Sequence, residues 1–402
     1  MITVLFQEPL PIAFKEDLER KVFYISDAIE DFRIIAEGDL MSGIEVRLDE
    51  RGGPPGDVID KIHAAAENQR KKKSTPPTEC VWSNREGRGG RGDVFSEMVA
   101  VNEAFQMGDG LIAVGERFIE LFDCLDEALT RVVKADFSGR EFRYPTLIQT
   151  SVMRRGGYIK YFPQFIMFAT RLHSDYDTYQ SVMRDEASGT AANYIRNCSD
   201  AEFCLPPTMC YHTYHQFSDS TIDSSPGFVV TSKGKSFRFE SRYARNLERL
   251  WDFTIREVVF VGTGEFVFEC RRRFMKEVFG LMTEWELAGH CESANDPFFA
   301  EDDSNNSQFI QKLMRLKYEL RLGVGGDHTI AAASFNLHND FIGRSFNMRF
   351  ADGNFVRTAC VGVGLERLTF AFLAQHGLRE EDWPAPVRRL LENRRRSGIR
   401  AE

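Results

Sequence analysis

Apolar residues fall in two periods along the first part of the chain. Ile44, Val46 and Leu48 alternate with polar neighbours, as the buried face of a strand does. Val58, Ile59, Ile62 and Ala66 recur at helical spacing, and a Gly-Gly-Pro-Pro run at 52–55 marks the turn between strand and helix. Residues 1–66 therefore predict a small N-terminal α/β module. The stretch from Asn68 to Asp93 is rich in Gly, Pro and charge without apolar periodicity, and reads as a linker. That places one domain, module plus linker, at 1–93 and a larger one at 94–402. From Leu111 to Val133, Phe118, Leu121, Phe122, Leu125, Leu129 and Val132 repeat on one helical face, which predicts a long amphipathic helix. An extended segment at Phe142–Pro145 follows it. Later strands are expected at Phe237–Phe239, Thr254–Val261 and Phe355–Val361. No βαβ rhythm and no Gly-rich dinucleotide loop separates them, so the sheet is expected to be antiparallel and the fold α+β.

Hydrophobic residues at 43% and charged residues at 28% match globular enzymes and exclude a disordered chain. The amino terminus lacks a basic segment leading into an apolar core, and no run approaches the roughly 18 apolar residues of a spanning helix. These features predict a cytoplasmic protein with no membrane partner. In that compartment the 8 Cys are expected to be reduced, as buried small residues, metal ligands or nucleophiles. The net charge of −9 argues against broad nucleic-acid binding, since phosphate backbones are gripped by Lys and Arg.

Two stretches carry candidate chemistry. Arg238 and Glu240 stand two residues apart, hence on one face of the expected strand. A guanidinium fork beside a carboxylate suits a nucleotide, though an exposed ion pair reads the same way. Near the carboxyl end a strand is expected to end at Gly362, Gly364 permits a tight turn, a helix starts at Leu365, and Gly377 stops it. Arg367 then sits in the first helical turn, where a positive charge opposes the helix dipole and calls for an anionic partner. Phosphate and a structural salt bridge both satisfy that demand.

The run F-R-x-E at Phe237–Glu240, then R-L-x-x-F-x-x-R-E at Arg249–Glu257, with G-x-G-x-E-R at Gly362–Arg367, resembles the second and third signature motifs of class II aminoacyl-tRNA synthetases. Pro145, after the long helix, resembles the first motif, which implies a homodimer. The resemblance implies a class II antiparallel β-sheet flanked by helices. It also implies that Arg238 binds the ATP α-phosphate, that Glu240 and the Arg249–Leu250 backbone hold the nucleotide together with Glu257, and that Arg367 grips the terminal phosphates alongside Mg²⁺.

Within the class the chain is similar to the zinc-dependent seryl-tRNA synthetases of methanogens and to their truncated relatives, the amino acid:[carrier protein] ligases. That likeness implies zinc held by Cys210, Glu257 and Cys360. From the residues alone, His212 and His215 rank as rival ligands, because imidazole is a commoner zinc ligand than carboxylate. Cys124, Cys198, Cys204, Cys270 and Cys291 read as packing or surface residues. Ser334 and Asn336, in a stretch at Ala331–Phe341 resembling the strand that lines the amino-acid pocket, and Lys317, on a second strand with Glu319, are further pocket candidates.

The resemblance implies ATP-dependent activation of glycine or alanine and transfer to the phosphopantetheine thiol of a carrier protein. The module before the linker is short, and no heptad-patterned arm is present, so tRNA is not an expected partner. A seryl-tRNA synthetase with a reduced tRNA-binding region and a non-catalytic paralogue are the alternatives. The basic run Arg271–Arg273 with Lys276 is expected to be a surface patch for an acidic carrier protein.

Overall fold

The structure, a computed structural model, describes residues 1–402 except 23, 27, 50–54, 71–77, 86–89, 91, 92, 189–193, 224, 241–245, 295–315 and 400–402. Most of the expected turn at 52–55 and much of the basic stretch that follows lie outside the described residues.

The N-terminal module consists of β1 (Ile2–Pro11), α1 (Lys15–Val22), β2 (Ile29–Glu37), β3 (Leu40–Leu48) and α2 (Pro55–Arg70). Its sheet runs β1-β3-β2 and both pairs are antiparallel. The module is thus α+β rather than α/β: a tight turn with Gly38 at φ +57 joins β2 directly to β3 and leaves no crossover helix. Val4, Leu10, Leu18, Ile44, Val46 and Ile62 give it a core of its own.

The stretch expected to be a linker contributes β4 (Cys80–Asn84), which pairs along an edge of the main sheet. Its Trp82 stacks on Phe279 with ring centroids 5.2 Å apart, so a short apolar segment outweighs its polar flanks. A hairpin of β5 (Ala104–Gly108) and β6 (Leu111–Val114) comes next. The helix expected from Leu111 therefore begins only at Glu116. Asp109-Gly110, with Gly110 at φ +67, turns the hairpin, a signal that the apolar periodicity concealed.

α3 (Glu116–Phe137) carries the expected apolar stripe. Its Phe118, Leu121, Leu125 and Leu129 are buried, each contributing about 1.5–3 kcal/mol by leaving water. After it come β7 (Arg140–Phe142), α4 (Cys210–Gln216), β8 (Gly227–Phe237), β9 (Asp252–Gly262), α5 (Gly264–Glu284), β10 (Gly289–Ser293), β11 (Lys317–Gly325), β12 (His328–Asn339), β13 (Arg357–Gly364), α6 (Leu365–His376) and α7 (Ala385–Ile399). The extended segment expected at Phe142–Pro145 is strand only as far as Phe142. Likewise β8 ends at Phe237, so Arg238 and Glu240 lie just past a strand rather than within one.

The eight-stranded sheet has the order β4-β10-β11-β12-β13-β9-β8-β7, antiparallel except for the β7–β8 edge pair. Strand alternation gives it two faces. Val258 and Phe260 of β9 join α3, α5 and α6 in the large core, while Val259 and Val261 point to a second cluster with Cys210, Tyr211 and Cys360. The functional cavity lies on that second side. No helix among the described residues is long and apolar enough to cross a membrane.

Candidate active site

The antiparallel register assembles the cavity floor from residues far apart in sequence. Glu257 on β9 pairs with Gly362 on β13, which pairs with Ser334 on β12, which pairs with Glu319 on β11. Two residues along each of these strands, Cys360 pairs with Asn336 and Asn336 with Lys317. Because side chains alternate, both rows face the same way. Gly362 adds no side chain between them, and a Cβ there would stand 3.5 Å from Glu257 Oε2. The resulting cavity, about 870 Å³, is lined by the candidate nucleotide, amino-acid and metal residues Cys210, Arg238, Glu240, Arg249, Leu250, Glu257, Lys317, Ser334, Asn336, Cys360 and Arg367, but not by the rival histidines.

At its deep end one donor atom from each of Cys210, Glu257 and Cys360 lies within 4.8 Å of the others, and all three residues are buried. Cys210 reaches the group from the start of α4, against the floor strands. Thr208 Oγ1 donates to Glu257 Oε2 at 3.3 Å and lies 3.5 Å from Cys210 Sγ. Asn336 Nδ2 and His338 Nε2 lie 3.6 and 3.8 Å from Cys360 Sγ. Glu257 Oε1 is buried with no hydrogen-bond partner among the described residues.

Burial, with the charge of Cys210 adding to it, pushes the Glu257 carboxyl well above the usual carboxylate range. The hydrogen bond to Cys210 and then burial push the Cys360 thiol up. Burial also acts to raise Cys210, but hydrogen bonds from Cys360, Thr208 and Tyr214 outweigh it and the net shift is down. Three anion-forming donors crowded out of water, one with an orphaned oxygen, are arranged as a divalent cation would need them. Two sulfurs and one oxygen suit an ion of intermediate softness.

The rival histidines do not join this group. α4 turns by 100° per residue, so Cys210 and Tyr214 share the cavity side while His212 and His215 point elsewhere. His212 is buried against Tyr144, ring to ring at 5.3 Å, and burial lowers its pKa to about 4. His215 is exposed.

Arginines also line the cavity. Arg238 donates to the Pro207 carbonyl at 2.9 Å, and its guanidinium lies 6.0 Å from the Phe165 ring centroid and 5.6 Å from that of Phe253. Glu240 is not the partner of Arg238; it accepts from Arg249 at 2.8 Å, with Leu250 buried beneath. Arg367 donates to the carbonyls of Glu248 at 2.6 Å and Ala331 at 3.0 Å. Burial, followed by the neighbouring charge of Arg249, lowers the Arg367 pKa to about 10. A second anion would relieve that crowding. Glu366, the residue before it, is buried and accepts from Thr254 N at 2.7 Å and Thr254 Oγ1 at 2.8 Å, which ties α6 to β9. Lys317 forms an ion pair with Glu319 at 3.0 Å inside the cavity rather than on the surface.

Sequence reasoning missed Thr208, Tyr214, His338, Glu19 and Tyr24, all of which line the cavity. Tyr214, four residues after Cys210 on a helix, was open to a spacing argument; the rest depend on tertiary contact. The expected surface patch loses one member. Arg271 is buried, donates to the Leu316 carbonyl and stacks on Tyr318 and Phe268, whereas Arg272, Arg273 and Lys276 are exposed.

No protein-family model matches the chain. Among curated proteins, amino acid–[acyl-carrier-protein] ligase 2 of Bradyrhizobium diazoefficiens is 30% identical over 251 residues, 62% of this chain and 73% of the relative. Ligase 1 of the same organism is 27% identical over 275 residues, 67% of this chain and 82% of the relative. The type-2 serine–tRNA ligase of Methanocaldococcus jannaschii is 25% identical over 283 residues, but the chain spans only 54% of its length. Among solved structures, M. kandleri SerRS in complex with A. aeolicus tRNASec superposes with a TM-score of 0.71 at 20% identity, covering 98% of this chain and 77% of that one. The cytoplasmic serine-tRNA ligase of Naegleria fowleri in complex with AMP gives 0.62 at 9% identity, covering 84% and 79%. The structural likenesses show the fold, the class II synthetase sheet flanked by helices. On the sequence relationship to the Bradyrhizobium enzymes, the chain belongs to the amino acid–[acyl-carrier-protein] ligase family.

Proposed function

We propose that this protein uses ATP to activate a small amino acid, glycine or alanine, and passes the aminoacyl group to the phosphopantetheine thiol of a carrier protein. The observation that carries the reading is the meeting of a Cys-Glu-Cys donor set and a cluster of guanidinium groups in one cavity. The substrate carboxylate oxygen attacks the α-phosphorus, the bond to the β-phosphate breaks, and pyrophosphate leaves. Arg238 holds the α-phosphate, Glu240 with the Arg249–Leu250 backbone orients the nucleotide, and Arg367 neutralises the terminal phosphates, where Mg²⁺ arriving with ATP would add further positive charge. Charge stabilisation of this kind needs no protein nucleophile. The carrier thiol then attacks the aminoacyl carbonyl and AMP departs.

Cys210, Glu257 and Cys360 would hold zinc, which when bound supplies a Lewis-acid position for the free amino group of the substrate. Lys317, Ser334 and Asn336 line the same cavity, together with Tyr211 and Tyr214. The domain division is proposed as 1–93 and 94–402, with β4 reaching from the first segment to the edge of the second's sheet, the assembly as a homodimer and the compartment as the cytoplasm. Exposed Arg272, Arg273 and Lys276 offer an acidic carrier a complementary patch. The test is ATP–pyrophosphate exchange across all amino acids, with glycine or alanine expected to give the strongest signal. Exchange confined to serine would favour the seryl-tRNA synthetase reading, and exchange with no amino acid would overturn the enzymatic one.

A further inference from the structure

The N-terminal module has its own hydrophobic core, yet two of its residues, Glu19 on α1 and Tyr24 just after it, line the cavity of the catalytic sheet. Tyr24 leaves the module's core and packs on the second cluster of the catalytic body. Its ring meets Phe165 edge to face, with centroids 6.1 Å apart and planes at 87°. Phe165 in turn presents its ring to the Arg238 guanidinium at 6.0 Å, and its carbonyl accepts from Phe239 N at 3.2 Å. Tyr24, Phe165, Arg238 and Phe253 thus form a continuous chain of contacts reaching from the module to the candidate nucleotide residues.

Burial first, and then the charge of Glu240, raise the Tyr24 hydroxyl above its ordinary pKa. Nothing in the catalytic residues themselves demands a contact from the first 70 residues. A module serving only as a separate docking domain would have no need of one.

We propose that the N-terminal module completes the active site in cis, with Tyr24 as a positioning residue that holds Arg238 through the Phe165 ring. This rests on the reading of Arg238 as the α-phosphate contact. Removing the Tyr24 ring leaves Phe165 free to tilt into the vacated space, and Arg238 loses the constraint on one of its two aromatic faces. Small misplacements of a charge-bearing group at the reacting phosphate are expensive in rate.

The experiment compares wild type, Tyr24→Phe and Tyr24→Ala in the full-length protein, by pyrophosphate exchange and by direct calorimetric binding of ATP. Tyr24→Ala is expected to lower kcat/KM for ATP about tenfold or more, with the KM for the amino acid unchanged, and to weaken ATP binding. Tyr24→Phe, which keeps the ring, is expected to restore both to within about threefold of wild type. Phe165→Leu, tested alongside, is expected to reproduce the Tyr24→Ala defect, and it keeps the proposal testable if Tyr24→Ala does not fold. Unchanged ATP parameters in Tyr24→Ala overturn the proposal, as does a Tyr24→Phe defect as large as that of Tyr24→Ala. If wild type binds ATP but exchanges with no amino acid, the proposed function fails, and the binding comparison still decides the role of Tyr24.

Discussion

Asp126→Ala probes the buried ion pair that anchors β9 to the helical layer. Arg256 is 2% exposed and donates to both oxygens of Asp126, at 2.6 and 2.7 Å. A third bond, at 3.0 Å, goes to Glu141, which is 36% exposed. Removing one member of a buried pair costs about 3–5 kcal/mol, because the remaining charge stays out of water without its partner. Since Glu141 remains, the lower end, about 3 kcal/mol, is the expected loss. Replacing both charges, as Asp126→Leu with Arg256→Met, is expected to recover most of it, since desolvation then costs nothing. The tryptophans, at 82, 251, 285 and 383, all lie outside the N-terminal module, so their fluorescence during urea unfolding reports on the catalytic body. The single variant should unfold at clearly lower urea, and the double variant near wild type. A single-variant loss below about 1 kcal/mol, the scale of a surface pair, would refute the reasoning. Glu257 directly follows Arg256, so the single variant is also expected to weaken amino-acid activation.

Arg238→Ala and Arg367→Ala are each expected to lower pyrophosphate exchange by about 100-fold or more, the scale for losing a preorganised charge contact; unchanged rates in both would remove the nucleotide-site assignment. Purified protein is expected to carry one zinc per chain by atomic emission, and Cys360→Ala to lose metal and amino-acid activation together. Fully active, zinc-free enzyme would contradict that assignment. His212 is held neutral, with its pKa lowered from 6.5 to about 4. The unfolded chain therefore binds the proton first, so stability is complete above pH 6.5 and falls as pH drops toward 4, by up to about 1.4 kcal/mol per pH unit. His212→Phe, which keeps a ring against Tyr144, should flatten that slope; equal slopes in the two proteins would show that other groups govern it.

Features written in contiguous residues were legible in the sequence. The helix from Leu365 stops at Gly377, whose φ of +81 suits glycine, and Arg367 falls in its first turn as expected. The motif residues on β9 and β13 could be named for the same reason. What brings them together is strand register, and no local pattern encodes that Glu257 pairs with Gly362 or Asn336 with Cys360. The choice of Glu257 over the nearby histidines came from family resemblance, and the structure gives its physical reason in the pitch of α4. Charge runs misled in one place: Arg271 shares a buried helical face with Phe274, Met275 and Val278, which a one-dimensional reading of consecutive arginines overlooks. The contact of Tyr24 with the site was invisible, because its partner Phe165 lies more than a hundred residues further along the chain.

The central claim concerns the acceptor. Purified protein, ATP and radiolabelled glycine or alanine should be incubated in parallel with a phosphopantetheinylated carrier protein, the same carrier lacking its pantetheine arm, and total tRNA. The account predicts label on the first acceptor alone, released by hydroxylamine as a thioester. Serine-specific labelling of tRNA, with the carrier protein unlabelled, would contradict it.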